Sequence, residues 1–524
     1  MSSCRRTKRM EYLCWLAVIS LASVVRLARL ADIPPALFRD EAEKLYNAYC
    51  LFTSGRDCQG NPFPLFVEVF GVTTSAIYQY SAIPFVWLFG LSEWTARLPA
   101  ALVGILTVIV TFAWVKHQRG LGTAVWAALF LALSPWHITF SRWAQQGIFL
   151  PLLLACSMLS WQYYLRGKRW GIVGTAMSLA LAMYTYDVAR AFVPLILAGL
   201  VVAYWRVLRN RWRETLLGLL VFAVFSSPTF LLLSTNTEAA QARFNRISIF
   251  QPGMAIPNIL GTFVKNYFMH LSPNFLLFHG DAELRHGVGV GVLTLTEFVG
   301  LVVGVISLIR SRKPENIVLL FWLAAFPVAA SLTREGIPHA LRTIVALPGL
   351  QVIAACGIKK LERACSVSWR KYFREMVVAL ALLGALPFIY KYFTSYKSQS
   401  AFNWQYGVKQ ALELLRPYED TLDWICFNGI AGAEYLVAVY AKIPPSEFHP
   451  HRPSAQKYVW DPHLLSSLFN KTAVAVVSVP YAPSPPKAAV IPILAPNSED
   501  VVAVIYINER AQEKMRQAET HVAR

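Results

Sequence analysis

Residues 120–141 read GLGTAVWAALFLALSPWHITFS and contain no Asp, Glu, Lys or Arg; Arg142 follows directly. About 20 mostly apolar residues are enough for a helix to cross the hydrocarbon core of a bilayer, so this stretch predicts a membrane-spanning segment. The whole chain of 524 residues agrees, since it is 56% hydrophobic and only 15% charged. Soluble domains are about 45–50% apolar and about 25% charged. The composition therefore excludes an ordinary soluble enzyme, a disordered chain, collagen and a coiled coil.

Working outward from this stretch, we predict an α-helical polytopic membrane protein with about eleven transmembrane helices. Shorter apolar runs count as spans because Arg, Lys and Tyr at their ends reach the interface. The predicted spans are residues 12–30, 98–115, 120–141, 143–165, 171–186, 191–205, 215–237, 288–309, 316–333, 343–358 and 376–390.

The formal net charge of +19 would suggest a nucleic-acid partner in a soluble protein. Here the basic residues concentrate in six short segments that precede or connect spans, and these segments hold 22 of the 49 Lys and Arg residues. Short cytoplasmic loops are rich in Lys and Arg, so this pattern predicts a cytoplasmic N-terminus and no nucleic-acid partner. We expect a multi-pass protein of the plasma (inner) membrane. The six segments are residues 1–11, 116–119, 166–169, 206–213, 310–315 and 359–374.

Three larger segments are predicted on the outer face: residues 31–96, 238–287 and 394–524. The first contains a candidate amphipathic helix over residues 40–53, expected along the membrane surface. In the last, helical patterns over 406–415 and 432–441 alternate with β-branched runs at 424–427, 473–479 and 501–507. We therefore divide the chain into a transmembrane module, residues 1–393, and a small extracytoplasmic α/β domain, residues 394–524.

Asp40 and Glu41 are two adjacent carboxylates shortly after the first span. Ionisable residues near spans are costly and are functional candidates by default. A carboxylate at the membrane face can act as a general base, and a pair of them can hold a divalent cation. Stabilisation of the first helical turn by the helix dipole is the alternative. No cofactor is certain, and the identity of any metal is left open.

Several cations lie at the predicted outer ends of the spans: Arg97, Arg142, Arg190, His339 and Arg342. The guanidinium group binds phosphate as a bidentate fork, so these residues are candidates for a donor phosphate. For Arg190, an ion pair with Asp187 is the competing interpretation. Interfacial snorkelling is the alternative for the others.

The middle outer loop carries further polar residues, namely His270, His279, Asp281, Arg285 and His286. A zinc site is conceivable, but their spacing matches no usual zinc pattern, so loop structure or substrate contacts are the favoured interpretation. Cys50 and Cys58 both lie in the first outer segment. An oxidising compartment would permit a disulfide between them, and two free thiols are the alternative.

Taken together, these residues resemble a known family. The chain resembles integral-membrane glycosyltransferases of the GT-C fold, of the family-39 type that includes protein O-mannosyltransferases and the lipid A aminoarabinose transferase. The similarity covers roughly residues 10–360. The motifs that carry it are Asp40-Glu41, Gly55-Arg56-Asp57 through Phe63-Pro64, Arg97-Leu98-Pro99, and Ser134-Pro135-Trp136 through Ser141-Arg142.

The resemblance implies inverting transfer of a sugar from a polyprenyl-phosphate donor to an acceptor on the outer face. Asp40 would be the base, with Glu41 supporting it, and Arg97 and Arg142 would organise the site or its phosphate. Glu68 stands where some relatives have a site acid, although the Lys-Pro that follows there is absent here. His339 and Arg342 are our own assignments for the donor phosphate. Expected partners are the donor, membrane lipids, and a lipid, glycan or protein hydroxyl as acceptor.

A multi-span transporter or flippase for a lipid-linked or anionic substrate is the alternative function. Many transporters show a half-to-half repeat, and we find none in this sequence. The candidate charges also lie towards one predicted face, whereas a transport path places them near the middle of the membrane. A membrane-anchored sensor that uses residues 394–524 as its receptor domain would leave Asp40 and Glu41 without a role. A ligase or polymerase of O-antigen type would not need Asp40.

Overall fold

The structure is a computed structural model that describes residues 2–235, 244–482, 484–485 and 487–522. It divides into two compact units, each built from separate stretches of chain. Unit 1 comprises Met1–Ala28, Gly71–Ile77 and Ala100–Tyr390. Unit 2 comprises Arg29–Phe70, Tyr78–Pro99 and Lys391–Arg524. The C-terminal residues predicted as a separate domain thus share a unit with most of the first outer segment.

Helices make up most of the chain. Their bounds are Ser2–Leu27, Arg39–Ser54, Ile77–Phe89, Glu93–Arg119, Leu121–Leu133, Pro135–Phe140, Phe149–Leu165, Trp170–Ala182, Val188–Asn210, Trp212–Thr235, Ile256–Leu271, Leu295–Arg310, Pro314–Ala325, Val328–Ser331, Gly349–Ala364, Arg370–Thr394, Tyr396–Gln399, Tyr406–Leu415, Ala433–Tyr440, Pro462–Phe469 and Glu509–Val522. Within the described residues, six helical segments are long and apolar enough to cross a membrane. They are Glu93–Arg119, Gln146–Leu165, Val188–Asn210, Trp212–Ser234, Pro314–Ser331 and Arg370–Thr394.

Each of the eleven predicted spans overlaps at least one helix of the full set given above. Several of the overlapping helices are shorter than a full membrane crossing. The number that crosses therefore stays a prediction. The stretch at 120–141 is interrupted at Ser134, where one helix ends and Pro135 starts the next. Proline fits the first turn of a helix because its missing N–H has no intrahelical acceptor there. The end of the 215–237 span and the first residues of the 238–287 segment lie outside the described residues.

In unit 1, two helices approach closely through glycine. A side chain on Gly357, in Gly349–Ala364, would collide with the backbone of Gly300 and Gly304 in Leu295–Arg310. Small residues allow helix backbones in a membrane to pack at short range. A second contact region centres on Trp322, which stacks with Trp114 at a centroid separation of 6.0 Å and packs edge-on against Phe192.

Unit 2 contains a six-stranded sheet. The strands of the chain are β1 (Phe66–Val69), β2 (Val72–Ser75), β3 (Trp424–Asn428), β4 (Ser454–Ala455), β5 (Tyr458–Val459), β6 (Val474–Ser478), β7 (Ala489–Leu494) and β8 (Val501–Ile507). The sheet order is β4-β5-β3-β6-β8-β7, with β3 parallel to both of its neighbours and the other pairs antiparallel. The predicted strands at 424–427, 473–479 and 501–507 are confirmed. The short β4 and β5 and the edge strand β7 were not predicted.

The helix predicted over residues 40–53 is present as Arg39–Ser54. Its expected amphipathic exposure is wrong, since ten of the residues between Glu41 and Leu51 are buried. The charged residues Glu43 and Lys44 are among them. Buried charges are retained where they are paired or hydrogen-bonded. This helix is therefore an internal element of the protein, and its polar residues require partners.

Candidate functional site

Asp40 lies in the first turn of the Arg39–Ser54 helix. Its side chain is 30% exposed, and Arg39 Nε lies 3.4 Å from Asp40 Oδ1. Arg39 also places its guanidinium over the rings of Phe38 and Phe70. Asp40 therefore has the accessibility that a base needs to receive a proton.

Glu41, the neighbouring carboxylate, is fully buried and bonded to Arg97. Arg97 Nε and Nη2 donate to the two oxygens of Glu41 at 3.0 and 2.9 Å. The remaining donors of Arg97 go to the carbonyls of Leu30, Pro34 and Ala36. All five donors of this guanidinium are used, and its ring contact is with Trp404. Of the two roles considered for Arg97, this geometry favours organising the chain around Asp40 over binding phosphate.

A buried polar cluster lies one helical turn after Asp40. Glu43 Oε1 accepts hydrogen bonds from Asn47 Nδ2 at 2.9 Å and Gln79 Nε2 at 3.0 Å. Lys44 Nζ lies 3.5 Å from Glu43 Oε2 and donates to the backbone carbonyl of Asp40 at 3.1 Å. Burial raises the pKa of Glu43, and Lys44 opposes that shift. The cluster ties the first turn of the helix to the next one and so holds Asp40 in place.

Cys50 belongs to this same helix, and Cys58 lies in the turn that follows it. Their Sγ atoms are 2.7 Å apart and both residues are buried. We expect the two thiols to form a disulfide when this segment meets an oxidising compartment, stabilising unit 2 by about 2–3 kcal/mol. Alkylation of the denatured protein before and after reduction measures this, with buried Cys426 as the thiol that stays reduced. Full alkylation of Cys50 and Cys58 without reductant, in protein from an oxidising compartment, would contradict it.

Glu68 and Arg142 differ strongly in exposure. Glu68 lies on β1, with an exposed side chain. Arg142 is fully buried in unit 1, and its Nη1 donates to the carbonyls of Val25 and Arg26. Cations stabilise the C-terminal carbonyls of a helix, which here is Ser2–Leu27. Arg142 therefore anchors the end of the first helix.

Arg190 and Arg342 line one cavity of about 470 Å³ in unit 1. Arg190 Nη1 pairs with Asp187 at 3.1 Å, as the competing interpretation predicted. Its Nε is nevertheless buried and has no hydrogen-bond acceptor among the described residues. Arg342 Nη1 is held by Thr333 Oγ1 at 2.8 Å and by the Glu335 carbonyl at 2.6 Å. Apolar side chains form much of the remaining wall, namely Val188, Ala191, Leu233, Phe244, Ile247, Ala329 and Leu332.

His339 belongs to a different group of side chains, the Asp281–His286–His339 cluster. His286 Nδ1 lies 2.7 Å from Asp281 Oδ2, and His339 Nδ1 lies 3.9 Å from the same oxygen. The Ala340 N–H also donates to this oxygen at 2.7 Å. All three residues are buried. His339 therefore contacts the middle outer loop and is not one of the residues that line the Arg190–Arg342 cavity.

His270 supports this region from the Ile256–Leu271 helix. Its ring bonds to the Asn266 carbonyl through Nδ1 and accepts the His339 N–H at Nε2, 3.1 Å away. Burial lowers the pKa of His270 to about 4. The ring is therefore neutral near pH 7, and only the neutral ring can accept the His339 N–H at Nε2.

Acidification is expected to destabilise the protein through His270. The pKa of His270 is lower in the folded chain, so its stabilising contribution is complete above about pH 6.5 and is lost as the pH falls towards about 4. The measurement is the thermal midpoint of the purified protein at pH 7.5 and pH 5, in the wild type and in His270→Gln. The wild type is expected to lose more stability on acidification than the variant. A matched change at exposed His279 is the control, and an equal pH effect in wild type and His270→Gln would contradict the assignment.

Sequence reasoning missed the Glu43–Lys44 cluster and the convergence of Asp281 with two histidines. Glu43 and Lys44 stand three and four residues after Asp40, the spacing that places side chains on one helix face, so a signal was present. Asp281 and His339 are 58 residues apart, and no local pattern links them.

Comparison with known proteins agrees with this fold. Residues 66–230 match the family model of dolichyl-phosphate-mannose-protein mannosyltransferases. No curated protein matches the chain by sequence. The apo crystal structure of ArnT from Cupriavidus metallidurans superposes with a TM-score of 0.61 at 16% identity, covering 95% of this chain and 98% of that one.

Two further solved structures are similar. ArnT from Cupriavidus metallidurans bound to undecaprenyl phosphate gives a TM-score of 0.59 at 16% identity, with 94% of this chain and 97% of that one covered. The apo oligosaccharyltransferase of Archaeoglobus fulgidus gives 0.50 at 14% identity, with 88% and 69% covered. These likenesses confirm the predicted GT-C fold, and the chain is a multi-pass membrane protein.

Proposed function

We propose that this protein is a glycosyltransferase that moves a sugar from a polyprenyl-phosphate donor to an acceptor hydroxyl. The observation that carries the proposal is the Arg190–Arg342 cavity, which combines two guanidinium groups with largely apolar walls. Phosphate accepts hydrogen bonds from guanidinium groups, and a polyprenyl chain packs against apolar surface. The likeness to an ArnT structure bound to undecaprenyl phosphate supports the same donor class.

The reaction requires a base for the acceptor. In our proposal the Asp40 carboxylate removes the acceptor hydroxyl proton as that oxygen attacks the anomeric carbon. The bond from the anomeric carbon to the phosphate oxygen breaks, the configuration inverts, and polyprenyl phosphate leaves. Arg190 and Arg342, in unit 1, are our assignment for the negative charge that grows on the leaving phosphate, and this assignment is made from the lining of their cavity alone. Glu41 and Arg97 act by holding the chain around Asp40, and His339 acts by holding the backbone next to Arg342.

The direct test is an assay with purified protein in lipid nanodiscs and synthetic polyprenyl-phosphate sugars. Mass spectrometry should detect free polyprenyl phosphate together with a glycosylated lipid, glycan or protein acceptor. Comparing surface glycans and glycolipids in cells with and without the gene identifies the natural acceptor. Movement of intact donor across a bilayer, with no cleavage, would favour the transporter alternative.

Arg342→Ala is expected to raise the KM for donor about 10–100-fold while the KM for acceptor changes little. Hydrogen bonds to a charged group contribute about 1.5–3 kcal/mol, and the phosphate would lose them in this variant. The measurement is initial rate against the concentration of each substrate. Arg334→Ala is the matched control, because Arg334 is exposed, donates to the Arg246 carbonyl and does not line the cavity. An unchanged KM for donor in Arg342→Ala would remove Arg342 from the donor site.

A further inference from the structure

We propose that Asp281, His286 and His339 bind a divalent transition-metal ion of the zinc type. One carboxylate oxygen of Asp281 and one ring nitrogen of each histidine converge here. These three atoms all lie within 4.8 Å of one another. The residues come from two separate stretches of unit 1. Asp281 and His286 belong to the loop before the Leu295–Arg310 helix, and His339 precedes Arg342 by three residues.

The spacing suits a tetrahedral ion. Zinc binds oxygen and imidazole nitrogen at about 2.0–2.2 Å, which places two ligand atoms of a tetrahedral site roughly 3.4 Å apart. The contacts of Asp281 Oδ2 with the two histidines, 2.7 and 3.9 Å, lie on either side of that value. Small side-chain rotations bring the ligand atoms to that spacing, and His339 Nδ1 gives up the hydrogen bond from the Arg342 N–H, 3.3 Å long, when it binds the ion.

The surroundings hold these groups in position. Asp281 accepts the backbone N–H of Glu283 on one oxygen and that of Ala340 on the other. The His286 ring packs against Phe140 and Trp143, with centroids 5.8 and 5.7 Å away. Hydrogen bonds that fix a ligating carboxylate and an apolar surround are both typical of metal centres. All three residues are buried, with side chains that are 3–11% exposed, as a desolvated site requires.

Two imidazoles and one carboxylate are the donor set of zinc sites that keep a fourth position for water or substrate. Zinc fits better than calcium or magnesium, because those ions prefer oxygen ligands only. The bound ion would join the middle outer loop to the turn that carries Arg342. For its effect on donor binding, this inference rests on the proposed function; metal binding itself does not.

The test measures metal, with no need for substrate. The purified full-length protein is stripped with a chelator, incubated with Zn²⁺, freed of excess ion and analysed by elemental mass spectrometry. We expect about one zinc ion per chain in the wild type and a value near zero in Asp281→Asn and His286→Gln. Co²⁺ in place of Zn²⁺ should give the visible absorption of a tetrahedral site.

His279→Gln is the matched control, since His279 lies in the same loop, is exposed and bonds to Asn274. It should retain full metal content. A second readout guards against misfolded variants: Zn²⁺ should raise the thermal midpoint of the stripped wild type, because a ligand that binds only the folded state stabilises it. Wild type that takes up no stoichiometric zinc and shows no thermal shift would overturn the inference. Zinc binding without sugar transfer would instead count against the proposed function alone.

Discussion

Asp40→Asn is expected to reduce sugar transfer by about 10²–10⁴-fold, the range that general base catalysis contributes. Asparagine has nearly the same shape as aspartate but cannot accept the acceptor proton. The side chain of Asp40 is partly exposed, and its near neighbour is Arg39 at 3.4 Å, so the fold should tolerate the change. The measurement is the rate of polyprenyl phosphate release at saturating donor and acceptor.

The control for this variant is Asp32→Asn. Asp32 lies eight residues earlier in the same outer segment, is 60% exposed and approaches Arg29 only at 3.9 Å. Its loss should leave the transfer rate unchanged. Both variants should insert and elute from a sizing column like the wild type. A correctly folded Asp40→Asn protein with near wild-type transfer would mean that another group is the base.

Arg97→Ala is expected to destabilise the protein by about 3–5 kcal/mol, the cost of breaking a buried ion pair and leaving its partner unpaired. Glu41 would remain fully buried without its two guanidinium bonds, and three backbone carbonyls would lose their donor. The thermal midpoint of the purified protein measures this. Transfer should fall with it, because the same contacts hold the chain around Asp40.

Two companion variants sharpen the Arg97 test. Arg97→Lys keeps the charge but cannot form the two-pronged bond to Glu41, so it should recover only part of the stability. Lys514→Ala breaks a pair with Asp423 that is about half exposed, and should cost less than about 1 kcal/mol. An Arg97→Ala protein as stable as Lys514→Ala would disprove the structural role. A stable Arg97→Ala protein with a raised KM for donor would return Arg97 to the phosphate site.

Only the three-dimensional structure distinguishes the roles of four candidate arginines, Arg97, Arg142, Arg190 and Arg342. All were candidates for phosphate from their position and chemistry. Arg97 and Arg142 are fully buried and donate to backbone carbonyls, and Arg97 also donates to Glu41. Arg190 and Arg342 line the cavity instead. An arginine looks the same in a sequence whether its guanidinium binds backbone or ligand, because its partners lie far away along the chain. Arg97 and Glu41 are 56 residues apart.

The sequence by itself determined that the chain is a multi-pass membrane protein, that Asp40 lies at the start of a helix, and where three of the strands in unit 2 lie. Each depends on local properties, namely the length of an apolar run, the charge of a first helical turn, and continuous runs of β-branched residues. Tertiary structure alone decided which cations meet an acid, which line a cavity, and that Asp281 meets His286 and His339. Those pairings come from the packing of elements distant along the chain, and burial then sets the cost of leaving each polar group without a partner.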